Sequence, residues 1–195
     1  MGKVLATEIS MFYYLFSFGK NKIPSENELT YTKKNGTKSI LNVFLFLIET
    51  IILHLFVANW YNTIAWILTF LGIYTGLQIL AILLSMSKRL ISINYETQTL
   101  HLRYGFGAQT YIPFSNIEKI NDSKKSDFDS PAHVYLSLFD IVDTPNLSLK
   151  LKEEHTLYKI YGLEKKFKSI ALSIDQKDLF VEKLLEVLDK DCIEE

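Results

Sequence analysis

Hydrophobic positions divide the chain into distinct textures. From Ile40 to Met86 they form two nearly unbroken apolar runs, Ile40 to Asn59 and Ile64 to Met86, with a short neutral connection between them. Each run is close to the roughly 20 residues a helix needs to cross bilayer hydrocarbon. No arginine, lysine or aspartate interrupts either. The pattern predicts a two-helix transmembrane hairpin over 40–86. The alternative, a pair of buried helices in a soluble protein, usually uses shorter helices and seldom two consecutive runs of this length. From Leu90 the period changes to two, with Ile91, Ile93, Tyr95, then Leu100, Leu102, Tyr104, then Tyr111 and, past Pro113, Ile117 and Ile120. These are predicted strands. Strand patterns return at Val134 to Phe139, Asn146 to Leu151 and Ser169 to Ile174, with a short strand or turn over Leu157 to Leu163. Glu96-Thr97-Gln98 and Gly105-Phe106-Gly107 read as hairpin turns. Asp175 reads as an N-cap, and Leu179, Phe180, Lys183, Leu184, Val187 and Leu188 predict an amphipathic helix over Gln176 to Leu188.

The aromatic stretch Met11 to Phe18 is too short to span and lacks the basic start and small-residue cleavage site of a secretory signal. Ile9, Phe12, Tyr13 and Phe16 recur at helical spacing, with Lys20 and Lys22 beyond them. Two readings stand: a short helix lying in the headgroup layer, or aromatics packed on the soluble domain. Asn21 to Lys38 is a polar linker carrying Pro24, the turn pair Asn35-Gly36 and a basic collar of Lys33, Lys34 and Lys38. Lys88 and Arg89 close the second run, so cations flank only the outer ends of the hairpin. The positive-inside rule then places both termini in the cytoplasm of a multi-pass cell-membrane protein. The turn Asn59 to Asn62, with Trp60 and Tyr61 followed by Trp66, falls at the outer headgroup level. The expected organisation is a cytoplasmic segment over 1–39, the hairpin over 40–86, a cytoplasmic β domain over 90–189 and an acidic tail over 190–195. The fold class is α+β, with about seven antiparallel strands in a barrel or sandwich and a C-terminal capping helix.

Composition narrows the function classes. The chain has 195 residues and a net charge of −1, leaving no basic field of the kind that binds nucleic acid. A single cysteine, Cys192, excludes an internal disulfide and a cysteine metal cluster. No Gly-x-Ser-x-Gly elbow, His-Glu-x-x-His pair or cysteine beside a histidine occurs. Gly105-Phe106-Gly107 precedes no helix start, which a phosphate cradle needs. No catalytic residue, metal ligand or cofactor site is expected.

The segment ISINYETQTLHLRYGFGAQTYIPFSNIEKI, from Ile91 to Ile120, has a strand, an acidic turn, Leu-x-Leu-Arg-Tyr-Gly and Ile-Pro-x-x-x-Ile. It resembles the opening hairpins of bacterial pleckstrin-homology-like (PH-like) domains in membrane proteins. The helix led by Leu179-Phe180 is similar to that family's capping helix, and a preceding two-span hairpin is common there. The resemblance covers about Ile40 to Leu188. It implies a non-catalytic module at the inner membrane, whose partners are the bilayer and a protein, or a second copy met through the hairpin.

The residues that stand out chemically lie in the hairpin. Glu49 falls near the centre of the first run. An ionised carboxylate at that depth costs roughly 2.5–3.5 kcal/mol on insertion scales, so it should face protein or water and have a partner. In an antiparallel hairpin closing at Trp60 to Asn62, residues whose numbers sum to about 123 lie level. That arithmetic sets Glu49 opposite Tyr74, Leu45 opposite Gln78 and His54 opposite Thr69, while Asn42 shares the face of Glu49. Asn42, Glu49, His54, Tyr74 and Gln78 are thus a candidate polar cluster. It is either a clamp between helices or, in a small transporter subunit or membrane-embedded enzyme, a proton or ion site. Arg103 has two readings as well: a contact for an anionic headgroup, or a cross-strand ion pair with Glu96 or Glu118. His101, His133 and His155 follow no fixed spacing.

Overall fold

The computed structural model describes residues 2–17, 23–25, 28–30, 33–122, 133–136, 145–188 and 193–194, with backbone alone for 33–40, 42, 122 and 193–194. The chain is α+β. Helices α1 (Gly2–Phe16), α2 (Lys33–Ala58) and α3 (Asn62–Met86) precede most of the sheet, with β1 (Glu28–Leu29) between α1 and α2. Then follow β2 (Ile91–Asn94), β3 (Thr99–Tyr104), β4 (Ala108–Pro113), β5 (Ile117–Asp122), β6 (His133–Tyr135), β7 (Leu147–Lys159) and β8 (Glu164–Leu172). Helix α4 (Lys177–Leu185) and β9 (Ile193–Glu194) complete the chain.

Helices α2 and α3 fold back on each other through a turn closed by Trp60 N and Tyr61 N, both donating to Val57 O. The inward stripe of α2 is Val43, Leu47, Thr50 and His54, spaced by three and four residues as one helix face requires. It meets Ala65, Thr69, Gly72 and Gly76 on α3. A Cβ on Gly72 would lie 2.5 Å from Thr50 Cγ2, and one on Gly76 would lie 3.1 Å from Leu47 Cδ2. Small residues therefore let the backbones approach, the usual device where two apolar helices pack without a hydrophobic gain. The outer surfaces remain open: Leu45, Ile52, Phe56, Phe70 and Leu71 are among the exposed large side chains.

Among the described residues one helix, α3, is long and apolar enough to cross a membrane, and the apolar part of α2 counted with it is the shorter Val43–Ala58. The expectation of two equivalent spans is met by one. Helical backbone also begins at Lys33, so Asn35-Gly36 lies in α2 rather than in a turn.

Strands β2, β3 and β4 form the expected meander, with Leu100 opposite Ile112 and Ile93 opposite Leu100. Their inward residues, with Leu149, Leu157, Phe167 and Ile170, build one core that α4 closes with Phe180 and Leu184. Beyond β4 the sheet departs from a simple antiparallel series. β4 pairs with β7, and β6 runs parallel to β8, with Val134 opposite Ile170. The strands expected at Asn146 to Leu151 and near Leu157 are one continuous β7, because a register shift between Lys150 and His155 carries β7 past the polar Glu153-Glu154 without ending it. Val134 to Phe139 is seen only as β6, residues 137–139 lying outside the described set, as does most of the loop 121–131. Gln176, not Asp175, is the N-cap of α4, its carbonyl accepting from Phe180 N at 2.9 Å, while Asp175 N donates to Thr30 O. Two short strands were not expected: β1 pairs with β2, and β9 in the acidic tail runs parallel to β5.

The close contact at Gly72 yields a test. Gly72→Leu should destabilise the helical pair by about 1–3 kcal/mol, the usual range for overpacking. Thermal unfolding of the full chain in detergent measures it, and Thr50→Gly should recover part of the loss. A Gly72→Leu protein as stable as the parent would contradict this packing.

Candidate functional site

The second half of α3 carries the β domain. Ser85, fully buried, donates through Oγ to Ile82 O (2.6 Å) and accepts from Phe106 N (2.9 Å) in the turn between β3 and β4. Gly105 in that turn has φ +53, and a Cβ there would collide with Ser85 Oγ and Ile82 O. Nearby, Lys88 Nζ donates to Ser17 Oγ (2.6 Å) at the end of α1. Tyr14 of α1 stacks on Phe106 with ring centroids 5.5 Å apart.

Further along α3 a polar cluster joins three elements remote in sequence. Tyr74 Oη donates to Glu8 Oε1 at 2.5 Å, and Tyr161 Oη donates to the same oxygen at 3.2 Å. Gln78 Nε2 donates to Tyr161 Oη, and the Tyr74 and Tyr161 hydroxyls are 3.0 Å apart. The backbone N of Tyr161 donates to Thr7 Oγ1 (3.1 Å). Tyr161 sits in the 3-10 turn between β7 and β8 at φ 60, ψ 9, a left-handed conformation that a non-glycine residue adopts at a cost of about 1–3 kcal/mol. Bonds from both its backbone and its side chain hold it there.

The sequence-derived cluster is therefore not assembled. Tyr74 and Gln78 meet Glu8 and Tyr161, two residues that sequence reading missed and for which no spacing signal exists. Glu49 is exposed on α2, next to Thr50 but about 100° around the helix from it, and so faces away from α3. The numbering placed it at the level of Tyr74 but could not fix its azimuth. His54 does meet Thr69: its Nδ1 lies 2.6 Å from Thr69 Oγ1 and 3.3 Å from Ala65 O. With the hydrogen on Nδ1 the ring donates to Thr69 Oγ1, whose own hydroxyl donates to Ala65 O at 2.9 Å. The side chain of Asn42 lies outside the described residues. On α1, Ile9, Phe12, Tyr13 and Phe16 are all exposed, while Thr7 and Met11 are buried. The four do not pack on the β domain.

A second arrangement lies on the outer face of β2, β3 and β4. His101, only 5 % exposed, stacks on Tyr111 with centroids 3.7 Å apart, and its Nε2 accepts from Arg103 Nε at 2.9 Å. Glu118, expected as a partner for Arg103, pairs with Lys150 at 2.7 Å, and that partly exposed pair lowers its carboxyl pKa. Arg89 Nη2 donates to Gln109 Oε1 at 2.8 Å, directly beside Arg103 in register. Burial lowers the pKa of Arg89, and repulsion from Arg103 adds to it.

Comparison with protein-family models, with curated proteins and with solved structures finds no match.

Burial, then the charges of Arg103 and Arg89, push His101 from 6.5 down to about 4. An unfolded chain takes up a proton on His101 below 6.5, and the folded chain does not until about 4. The contribution is thus fully present above 6.5 and is lost as pH falls towards 4. His101→Gln should make unfolding free energy less sensitive to acid by about 1–3 kcal/mol over that window. Denaturant titration of both proteins at neutral pH and at about pH 4.5 measures the difference. Parallel pH profiles would refute it.

Proposed function

We propose that this protein is a non-catalytic, membrane-anchored interaction module, in which the α2–α3 pair inserts in the cell membrane and holds the β domain at the cytoplasmic face. The observation that carries the reading is the apolar outer surface of the helical pair, which bears one exposed acid, Glu49. Among the described residues Glu49 has no partner within the chain. In a bilayer an acid in that position is costly unless a donor from another helix reaches it. A protein partner, or a second copy of the hairpin, supplies such a donor. Tethering then raises the local concentration of the β domain near membrane partners.

A PH-like fold for the β domain is part of this proposal. The β2–β3–β4 meander and the core helix α4 support it, while the β4–β7 pairing and parallel β6–β8 strain the likeness. A transporter or membrane-enzyme reading has less support, because Glu49, His54 and the Tyr74–Gln78 pair point to three separate places.

Two measurements test the proposal. Single cysteines at Asn62 and at Ser115 in a Cys192→Ser background should be labelled by an impermeant reagent from outside and only after lysis, respectively. Asn62 protected from outside in intact cells would remove the spanning topology. Glu49→Leu, assayed by purification in mild detergent, should insert normally and reduce the recovery of co-purifying protein or the dimer fraction about tenfold, within the 1–2 kcal/mol of an interhelical bond. Unchanged recovery would show that Glu49 meets no partner.

A further inference from the structure

The outer face of the β2–β3–β4 meander holds a groove of about 450 Å³, lined by Arg103, His101, Tyr111, Ser92, Asn94 and Thr99. Its acceptors are used internally. His101 Nε2 accepts from Arg103 Nε, and Asn94 Oδ1 accepts from Thr97 N at 3.0 Å. The Thr97 and Thr99 hydroxyls bond each other at 2.7 Å. What remains turned to the groove is mainly donor chemistry: the terminal guanidinium nitrogens of Arg103 and the amide nitrogen of Asn94, beside hydroxyls that can donate or accept. Arg103 is half-buried, and among the described residues no carboxylate pairs with it or with Arg89. Glu28, the acid that shares this face opposite Ser92, turns Oε2 to Ser25 N at 3.3 Å.

Two neighbouring guanidiniums without a carboxylate repel each other, and a bound oxyanion reverses the sign of that interaction. Arginine's fork suits a phosphoryl group, two of whose oxygens it engages at once. His101 contributes by position: it holds Nε of Arg103 and stacks beneath Tyr111, so the fork is fixed by the sheet.

We propose that this groove binds a phosphoryl group, held by the terminal nitrogens of Arg103 with Asn94 and Thr99 as neutral partners, the nearby charge of Arg89, outside the lining, adding to the attraction. Two sources present the same chemistry, a soluble phosphate and a phospholipid headgroup. Arg89 follows the end of α3 by three residues, so the groove would stand beside the headgroups only if α3 inserts as far as Met86. The inference goes beyond the anchoring function and does not depend on it, since soluble phosphate needs no bilayer.

The test uses the full chain in detergent, with inorganic phosphate followed by calorimetry and with phosphatidic acid against phosphatidylcholine followed by native mass spectrometry. Arg103→Gln should weaken phosphoryl binding about tenfold, in line with loss of a charge-assisted hydrogen bond. Arg103→Lys should fall between, keeping the charge without the fork. Lys165→Gln, on β8, should bind like the parent. Thermal midpoints identify any variant that fails to fold, and Thr99→Val then provides a milder probe with the same expected direction. Binding of phosphate weakened by Arg103→Gln supports the site with a soluble source. Retention of phosphatidic acid over phosphatidylcholine, weakened in the same way without phosphate binding, supports it with a headgroup source. No binding of either probe, or equal weakening by Lys165→Gln, overturns the inference. Failure of the labelling test at Asn62 would leave the phosphate result standing, so the two hypotheses fail separately.

Discussion

The approach of the β3–β4 turn to the end of α3 is the constraint on which the arrangement depends. Ser85 is buried between its own helix and the turn, donating to one and accepting from the other. A side chain at Gly105 has no room, and a residue with a Cβ also meets the steric cost of φ +53. This small contact joins the helical part of the chain to the sheet with no linker between them, since only Ser87 to Leu90 separate α3 from β2. One helix thereby serves two neighbours. One stretch of it takes α2 through Ala65, Thr69, Gly72 and Gly76, and from Tyr74 onward it also takes α1 and the β domain.

That division explains the Glu8–Tyr74–Tyr161–Gln78 cluster. Once Ser85 fixes one point of the sheet against α3, the β7–β8 turn is carried along the helix to the level of Tyr74. A second contact is then needed to stop the domain from rocking about the first. Tyr161 supplies it, with its hydroxyl among Glu8, Tyr74 and Gln78 and its amide on Thr7. The strained backbone of Tyr161 is offset by several hydrogen bonds, each worth about 0.5–1.5 kcal/mol net, or more to a carboxylate. Helix α1 acts as the wedge between, burying Thr7 and Met11 and leaving its aromatic face open.

Sequence periodicity made the local elements legible. The change from apolar runs to period two located α3 and the meander, and the sum rule for the hairpin found the His54–Thr69 contact because depth along an antiparallel pair follows from residue counting alone. Counting does not give azimuth, and Glu49 was therefore set at the right level and on the wrong side. The long-range pairings were illegible for a different reason. Tyr161 approaches Glu8 because β7 continues through Glu153 and Glu154, and a polar pair in an alternating segment reads as a loop unless the bulge that accommodates it is known. The pairing of β6 with β8 likewise depends on tertiary packing that no local pattern encodes. His101 and Arg103 were visible as residue types two apart on one strand face, but β4 and β7 lie between their strand and β5, which carries Glu118, and Glu118 pairs with Lys150 instead.

If the helices insert in a bilayer as proposed, the placement of the β domain limits how deep they go. Helix α3 has 25 residues and is about 37 Å long, enough by itself for the roughly 30 Å of hydrocarbon. From Asn62 to Tyr74, however, only about 18 Å of it lies beyond the contact with Tyr161. Beside that contact stands the exposed Lys3–Glu164 pair, 3.4 Å apart, which belongs in water or among headgroups. Insertion as far as Met86 would draw this pair into hydrocarbon, whereas insertion only to Tyr74 would leave the bilayer thinned around a short hairpin, a modest cost per ångström of mismatch. On the second arrangement Glu49, level with Tyr74, lies at the boundary rather than the centre, and its exposure is no longer anomalous. The two depths thus assign Glu49 different partners: another helix if the hairpin is deep, headgroups and water if it is shallow. Under the proposed topology the accessibility of the Trp60-Tyr61 turn from outside and the effect of removing the Glu49 carboxyl are therefore linked quantities, both set by where the β7–β8 turn comes to rest.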